Sequence, residues 1–273
     1  MPELPEVETV RRALEREIVG AAILSVGGHS IDLRRPLDLP QLKRLLQDRR
    51  FAPPRRRGKF LLLDIQADGS LLCHLGMSGR LMVCAPTEPR LPHTHLTLSL
   101  DDGREVRYVD PRRFGMVHWL AVGEEASDPS LGRLGIEPLE PGLERTLPPL
   151  LHERRAPLKN LILDQRLVAG VGNIYAAEAL WRARIHPRRA GNRTSLTRLA
   201  GLARAVRDVL SEAVNEGGTT IRDYATPDGN FGYFAVKLDV YGRQGQPCNR
   251  CSTKLRSEVI GGRTTAWCPS CQR

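Results

Sequence analysis

Near its C-terminus the chain reads Pro247-Cys248-Asn249-Arg250-Cys251, and sixteen residues later Cys268-Pro269-Ser270-Cys271. Two Cys-x2-Cys turns at this separation have the spacing of a four-thiolate zinc site, each turn aiming two sulfurs at one centre. The segment between them is long enough for a β-hairpin. This tail of 26 residues holds few apolar groups, so a metal must drive its folding; structural zinc contributes on the order of 10–16 kcal/mol in small modules. Two disulfides are the competing reading, disfavoured if the protein works in a reducing compartment. With sulfur at all four positions no site is left for a reactive water, and the zinc expected here is structural. Lys254, Arg256 and Arg263 make the hairpin a basic finger suited to phosphate. Cys73 and Cys84 sit in apolar strand contexts and read as core thiols.

Working back from this module, the period is helical. Leu199, Leu202, Val206, Val209, Leu210 and Val214 share one face of a helix expected from Ser195 to Asn215, stopped by Gly217-Gly218. A helix is expected from Ile174 to Arg184, and Leu158 to Leu163 form another apolar stretch ahead of Gly170-Val171-Gly172-Asn173. The Gly-rich stretch 217–235 is long for a compact protein, which favours a functional loop. Residues 123–149 read as a linker with a short ordered piece. From 21 to 122 the pattern is that of strands, including Phe60 to Ile65, the alternating Leu96, Leu98 and Leu100 before the hairpin signal Asp102-Gly103, Glu105 to Val109 and Met116 to Val122. Val7, Val10, Leu14 and Ile18 give the first 20 residues a helical stripe. The fold class expected is α+β and multidomain, with a helix-led β-sandwich at 1–131, a helical domain at 132–235 and the zinc hairpin at 236–273.

Bulk numbers narrow the function. The chain has 273 residues, a formal net charge of +10 and a sequence pI near 9.8. That balance favours a polyanionic partner, most simply nucleic acid. Only five of the 41 basic residues are lysine; arginine forks suit phosphate and base edges. No apolar run of about 18 residues and no apolar signal core are present, so membrane insertion and secretion are not expected. A cytoplasmic protein, monomeric by default, is the reading.

The N-terminus carries a reactive possibility. A small residue such as Pro2 lets the initiator methionine be removed, leaving a secondary amine beside the carboxylic acid of Glu3. Roughly a tenth to a fifth of α-amines are neutral at pH 7, against about one lysine in a few thousand. A neutral secondary amine meeting an aldehyde-like carbon forms an iminium. The plainer reading is a helix start, with Pro in the first turn and acids facing the helix dipole.

Several blocks together resemble the formamidopyrimidine-DNA glycosylase family: Met1-Pro2-Glu3-Leu4-Pro5-Glu6-Val7-Glu8-Thr9, Arg57-Gly58-Lys59-Phe60, His74-Leu75-Gly76-Met77-Ser78-Gly79, Asp110-Pro111-Arg112-Arg113-Phe114-Gly115, Gly170-Val171-Gly172-Asn173-Ile174-Tyr175, Val240-Tyr241-Gly242-Arg243, and the cysteine quartet. The resemblance spans nearly the whole chain. It implies a helix–two-turns–helix middle domain and a bifunctional DNA glycosylase/AP lyase of base excision repair acting on double-stranded DNA that contains oxidised purines. Under it Pro2 is the nucleophile at C1′ and Glu3 the acid. Lys59 contacts phosphate and assists proton transfer, and Arg263 grips phosphates and assists elimination. Met77, Arg112 and Phe114 form the wedge that fills the gap left by a flipped base. His93, Arg154 or Arg155, Lys159, Asn173 and Tyr241 are further DNA contacts. Cys248, Cys251, Cys268 and Cys271 hold one zinc. The loop 217–235 caps the flipped base, with amides around Thr219 to Tyr224 reading its edge.

Two other readings compete. An endonuclease VIII-type glycosylase shares Pro2 and Glu3 but prefers oxidised pyrimidines, and its members usually depart from the Arg112/Phe114 wedge and long cap. A zinc-finger DNA-binding protein without catalysis would suit the charge and the cysteines while leaving Pro2-Glu3 and Lys59 unexplained.

Overall fold

The computed structural model describes all residues except Met1, Ser30, Ala67 and 218–237. It divides into two compact units, Met1–Gly132 with Gly217–Phe234, and Arg133–Glu216 with Ala235–Arg273.

The first unit opens with helix α1 (Leu4–Ile18). The predicted stripe is its buried face: Val7, Val10, Leu14 and Ile18 are all inside. Two four-stranded antiparallel sheets follow. One has the order β1 (Ile23–Gly28), β6 (Thr94–Leu100), β7 (Glu105–Val109), β5 (Arg80–Cys84); the other runs β2 (Arg55–Arg57), β3 (Phe60–Ile65), β4 (Gly69–His74), β8 (Met116–Ala121). Leu61, Leu63 and Leu71 of one sheet share a core with Ile23, Leu96, Leu98 and Val106 of the other. Leu96, Leu98 and Leu100 are buried, and so is Thr97 on the opposite face of this inner strand. The Asp102-Gly103 turn joins β6 to β7 as expected.

The strand expectation for 21–122 missed helix α2 (Leu39–Leu46). Its signals are present in the sequence: Asp38 caps it by accepting the Gln41 N–H at 2.9 Å, Pro40 sits in the first turn, and Leu39, Leu42 and Leu46 are buried. Eight residues give too short a period to stand out among strands.

The second unit contains α3 (Leu143–His152), α4 (Leu158–Leu163), α5 (Asn173–Arg182), α6 (Leu196–Asn215) and the hairpin β9 (Arg256–Ile260)–β10 (Arg263–Trp267). The stretch read as linker contains most of α3. Pro148 and Pro149 lie inside that helix and remove two N–H donors. Packing against α6, with Leu143, Leu147 and Leu151 buried, holds it regardless. Ser195 caps α6, and the six apolar positions read from its period are all buried. Among the described residues no helix is long and apolar enough to cross a membrane.

Candidate active site and nucleic-acid interface

In the first unit Pro2 and Glu3 are buried at the head of α1. Glu3 is the N-cap, and a capping box ties it to Glu6, whose carboxylate accepts the Glu3 N–H at 2.8 Å. Glu6 is thus a cap that fixes the peptide following Pro2. Helix α1 packs against β2, β3 and β5. Glu8 anchors it, pairing with Arg56 of β2 at 3.1 Å and with Arg11 at 3.0 Å; both carboxylate and Arg56 guanidinium are largely buried. β2 ends at Arg57 and the Gly58-Lys59 turn leads into β3, so the strand pinned to α1 runs directly into Lys59, which is buried. His74, whose ring lies 4.8 Å from that of Phe60, stays neutral: burial, then the charges of Arg34 and Lys59, pull its pKa down to about 3. Cys73 is the inert core thiol expected, its pKa pushed up to about 12 by burial.

The three wedge candidates are at the surface of the same unit. Met77 is 41% exposed and Phe114 45%. The Arg112 guanidinium lies 4.8 Å from the centre of the Phe114 ring, a cation–π contact. Neither Met77 nor Phe114 is packed into the core. His93 is exposed and has a left-handed backbone, φ 68°. Such strain in a residue other than glycine clusters at functional sites.

In the second unit α5 begins at Asn173. Its amide Nδ2 donates to the Thr264 carbonyl of β10 at 3.1 Å, while Oδ1 is buried with no hydrogen-bond partner among the described residues. Arg263 is exposed and opens β10 immediately after the Gly261-Gly262 turn. Both glycines have positive φ, as a two-residue hairpin loop of this hand requires. A Cβ on Gly261 would sit 2.5 Å from Asn160 Oδ1, so this turn is seated against α4.

Lys159, expected as a DNA contact, is instead fully buried at 0% exposure. Its ammonium donates to the Thr265 hydroxyl and, at 3.3 Å, to the Arg263 carbonyl. Burial, then the Arg263 charge, lowers its pKa to about 8. The side chain holds the backbone that carries Arg263. Arg154 and Arg155 are exposed, as a phosphate contact needs. Tyr241 is half-buried, and its N–H donates to Glu178 at 2.8 Å.

Glu178 is the residue in this unit that the sequence reading missed. Its carboxylate accepts the N–H groups of Asp239, Val240 and Tyr241 at 2.8 to 2.9 Å. Burial raises its pKa and these three donors oppose that rise. A carboxylate in the otherwise apolar run Ala176 to Trp181 was the available signal.

The four cysteine side chains converge, all Sγ atoms lying within 4.8 Å of one another. Cys251 and Cys268 are 3.5 Å apart and Cys248 and Cys271 4.0 Å. Tetrahedral zinc with bonds of about 2.3 Å needs sulfurs about 3.8 Å apart, so the residues fit the ion. The Trp181 indole N–H and the Arg250 N–H both point at Cys248 Sγ at 3.4 Å. Burial opposes ionisation of Cys248, but these donors prevail and its pKa is lowered. Arg250 in turn stacks 4.1 Å from the Trp181 ring centre, which locks the module on α5. The proposed cap, including Thr219 to Tyr224, lies outside the described residues.

A helix headed by buried Pro2 and Glu3, exposed Met77 and Phe114 beside Arg112, and a four-cysteine hairpin carrying an exposed arginine suit a nucleic-acid-binding protein with a structural metal. Three family descriptions cover the chain: "Formamidopyrimidine-DNA glycosylase N-terminal domain" at residues 1–117, "Formamidopyrimidine-DNA glycosylase H2TH domain" at 134–225, and "Zinc finger found in FPG and IleRS" at 245–273. A curated formamidopyrimidine-DNA glycosylase from Xanthomonas oryzae is 48% identical over 100% of both chains. The crystal structure of the MutM (Fpg) protein from Thermus thermophilus matches with a TM-score of 0.88 and 41% identity, covering 99% of this chain and 98% of that one. A structure of MutM in complex with DNA containing carbocyclic 8-oxo-G matches with a TM-score of 0.89 and 34% identity over 100% of both. The chain belongs to the formamidopyrimidine-DNA glycosylase family, and its four cysteines hold one structural zinc.

Proposed function

We propose that this chain is a bifunctional glycosylase and AP lyase of base excision repair, excising oxidised purines such as 8-oxoguanine and formamidopyrimidines from duplex DNA. The whole-length likeness to a formamidopyrimidine-DNA glycosylase carries this reading, and the lesion-bearing DNA in a solved relative supports the substrate. The three-part division at 131/132 and 235/236, action as a monomer and a cytoplasmic location belong to the same proposal.

The chemistry follows from the residues. A base inside a duplex is out of reach, so the lesion is turned out of the stack at a cost of a few kcal/mol. Met77, Arg112 and Phe114 fill the gap: an apolar chain and a ring replace stacking, and a guanidinium pairs with the orphaned base. With Met1 removed, the neutral Pro2 amine attacks C1′ and the base departs with the glycosidic electron pair. Glu3 supplies a proton to the sugar ring oxygen or the leaving base. The ring opens to an iminium, which acidifies the C2′ hydrogen. Loss of that proton expels the 3′ phosphate, and a second elimination expels the 5′ phosphate. Lys59 and Arg263 act on the phosphates and on proton transfer; Asn173, Tyr241, His93 and Arg154 contact the DNA backbone. Zinc takes no part in these steps, since thiolates fill all four of its positions.

Single-turnover assays on duplexes containing one 8-oxoguanine or one thymine glycol test the substrate class. Faster cutting at 8-oxoguanine is expected. Faster cutting at thymine glycol would assign the chain to oxidised pyrimidines.

A further inference from the structure

Met77, Arg112 and Phe114 sit on two exposed turns, yet filling a helical gap requires side chains held where the base was. A loop that first had to order itself would lose conformational entropy with each residue fixed. Asp110 supplies the missing rigidity. Its side chain is fully buried beneath the two turns. Its Oδ1 accepts the Ser78 hydroxyl at 2.7 Å and the Arg112 N–H at 3.3 Å. Its Oδ2 accepts the Gly115 N–H at 2.7 Å and the Tyr108 hydroxyl at 3.5 Å. The backbone of the same residue reaches a third loop, its N–H donating to the His93 carbonyl at 3.1 Å, and its carbonyl accepts from His95 Nε2 at 2.9 Å.

One carboxylate thus joins the residue after Met77, the Arg112 peptide and the residue after Phe114. The two turns also touch directly. Gly76, with φ +60°, lies so close to Phe114 that a Cβ there would fall 2.4 Å from the Phe114 carbonyl carbon. The Gly76 N–H donates to His74 Nδ1 at 2.9 Å, which places Met77 at the crest of the turn. A buried carboxylate is stable only where donors surround it, and these donors are main-chain and hydroxyl groups of the wedge-bearing turns themselves.

We propose that Asp110, through Ser78 and the Arg112 and Gly115 peptides, is a positioning residue that pre-sets the wedge, so that turning the lesion out of the helix depends on a side chain that touches no DNA. This rests on the wedge reading above. Loss of this hub slows lesion extrusion and leaves the proline chemistry intact. A duplex with a preformed abasic site has no base to extrude and bypasses the step.

The test is Asp110→Asn, which turns one acceptor into a donor facing the Ser78 hydroxyl or the Gly115 N–H, with Ser78→Ala as a milder variant that keeps the carboxylate. Two rates are measured at saturating enzyme, 8-oxoguanine excision and cleavage of a preformed abasic site. Fluorescence of a 2-aminopurine placed opposite the lesion reports unstacking. Asp110→Asn is expected to slow excision roughly tenfold, the effect of one lost charge-assisted hydrogen bond, with abasic-site cleavage within about twofold and a delayed 2-aminopurine rise. Ser78→Ala moves the same readouts in the same direction by less, and decides the matter if Asp110→Asn does not fold. If both rates fall in parallel, the hub is merely structural and the proposal is overturned. Met77→Ala and Phe114→Ala separate the two layers. If they excise 8-oxoguanine as fast as wild type, the wedge reading fails. If they are slow while Asp110→Asn and Ser78→Ala match wild type, the wedge stands and the positioning role is refuted.

Discussion

Replacing Glu178 by alanine tests how the zinc module is attached to the helical unit. The carboxylate accepts three successive backbone N–H groups, those of Asp239, Val240 and Tyr241, at 2.9, 2.9 and 2.8 Å. Val240 is fully buried, whereas Asp239 and Tyr241 are half-buried. Alanine leaves the Val240 donor with neither carboxylate nor water, a loss of about 1–3 kcal/mol, while water can reach the other two and limits their loss to about 0.5–1 kcal/mol each. Relief from burying a charge offsets part of this, and a net destabilisation of about 2–4 kcal/mol is expected. Glutamine keeps one oxygen, able to serve Val240 and Tyr241 from the Oε1 position, but turns an NH2 toward the Asp239 N–H. Its effect should be about 1–2 kcal/mol. The assay is urea unfolding of the zinc-loaded protein, with zinc release to a chromogenic chelator followed in parallel. The expected order is wild type, then glutamine, then alanine, in both stability and zinc retention. An alanine variant within about 0.5 kcal/mol of wild type, with unchanged zinc release, would refute the anchoring role.

Removing zinc with a strong chelator should abolish DNA binding while leaving the first unit folded, because the hairpin has little core of its own beyond the cysteines; normal DNA affinity of metal-free protein, measured by anisotropy, would contradict this. Lys159 gives a pH signature. Its folded pKa, about 8, lies below the ordinary 10.5, so the unfolded chain holds more protons between these values and stability rises with pH across that window, by about 1–3 kcal/mol. Lys159→Met should flatten the unfolding free energy between pH 8 and 10.5, and an unchanged slope would argue against the burial of the ammonium.

Much of the fold is legible in local pattern. Helices α1 and α6 announce themselves through apolar stripes with caps at their starts, and the β6–β7 hairpin through alternation and Asp102-Gly103. The cysteines needed only their spacing. What failed was short or tertiary. Helix α2 is eight residues long, and α3 keeps two prolines because α6 packs on it. The wedge role proposed for Met77 and Phe114 came only through family resemblance, since by type both look like core until the turns that expose them are known. Lys159 misled for a different reason. Its DNA contact was implied by the family resemblance alone, and its partner Thr265 is 106 residues away, beyond any local pattern. Asp110 lay within a quoted motif without a role, because the donors its carboxylate gathers come from its own turn, from β7 and from Ser78, 32 residues away.

The central claim is that the Pro2 amine becomes covalently joined to the damaged strand. Borohydride trapping on a duplex with one 8-oxoguanine, followed by peptide mapping of the cross-link, tests it directly. The account predicts a cross-link at Pro2 that disappears when the N-terminus is blocked. A cross-link at a lysine, or none while binding to the lesion persists, would contradict it.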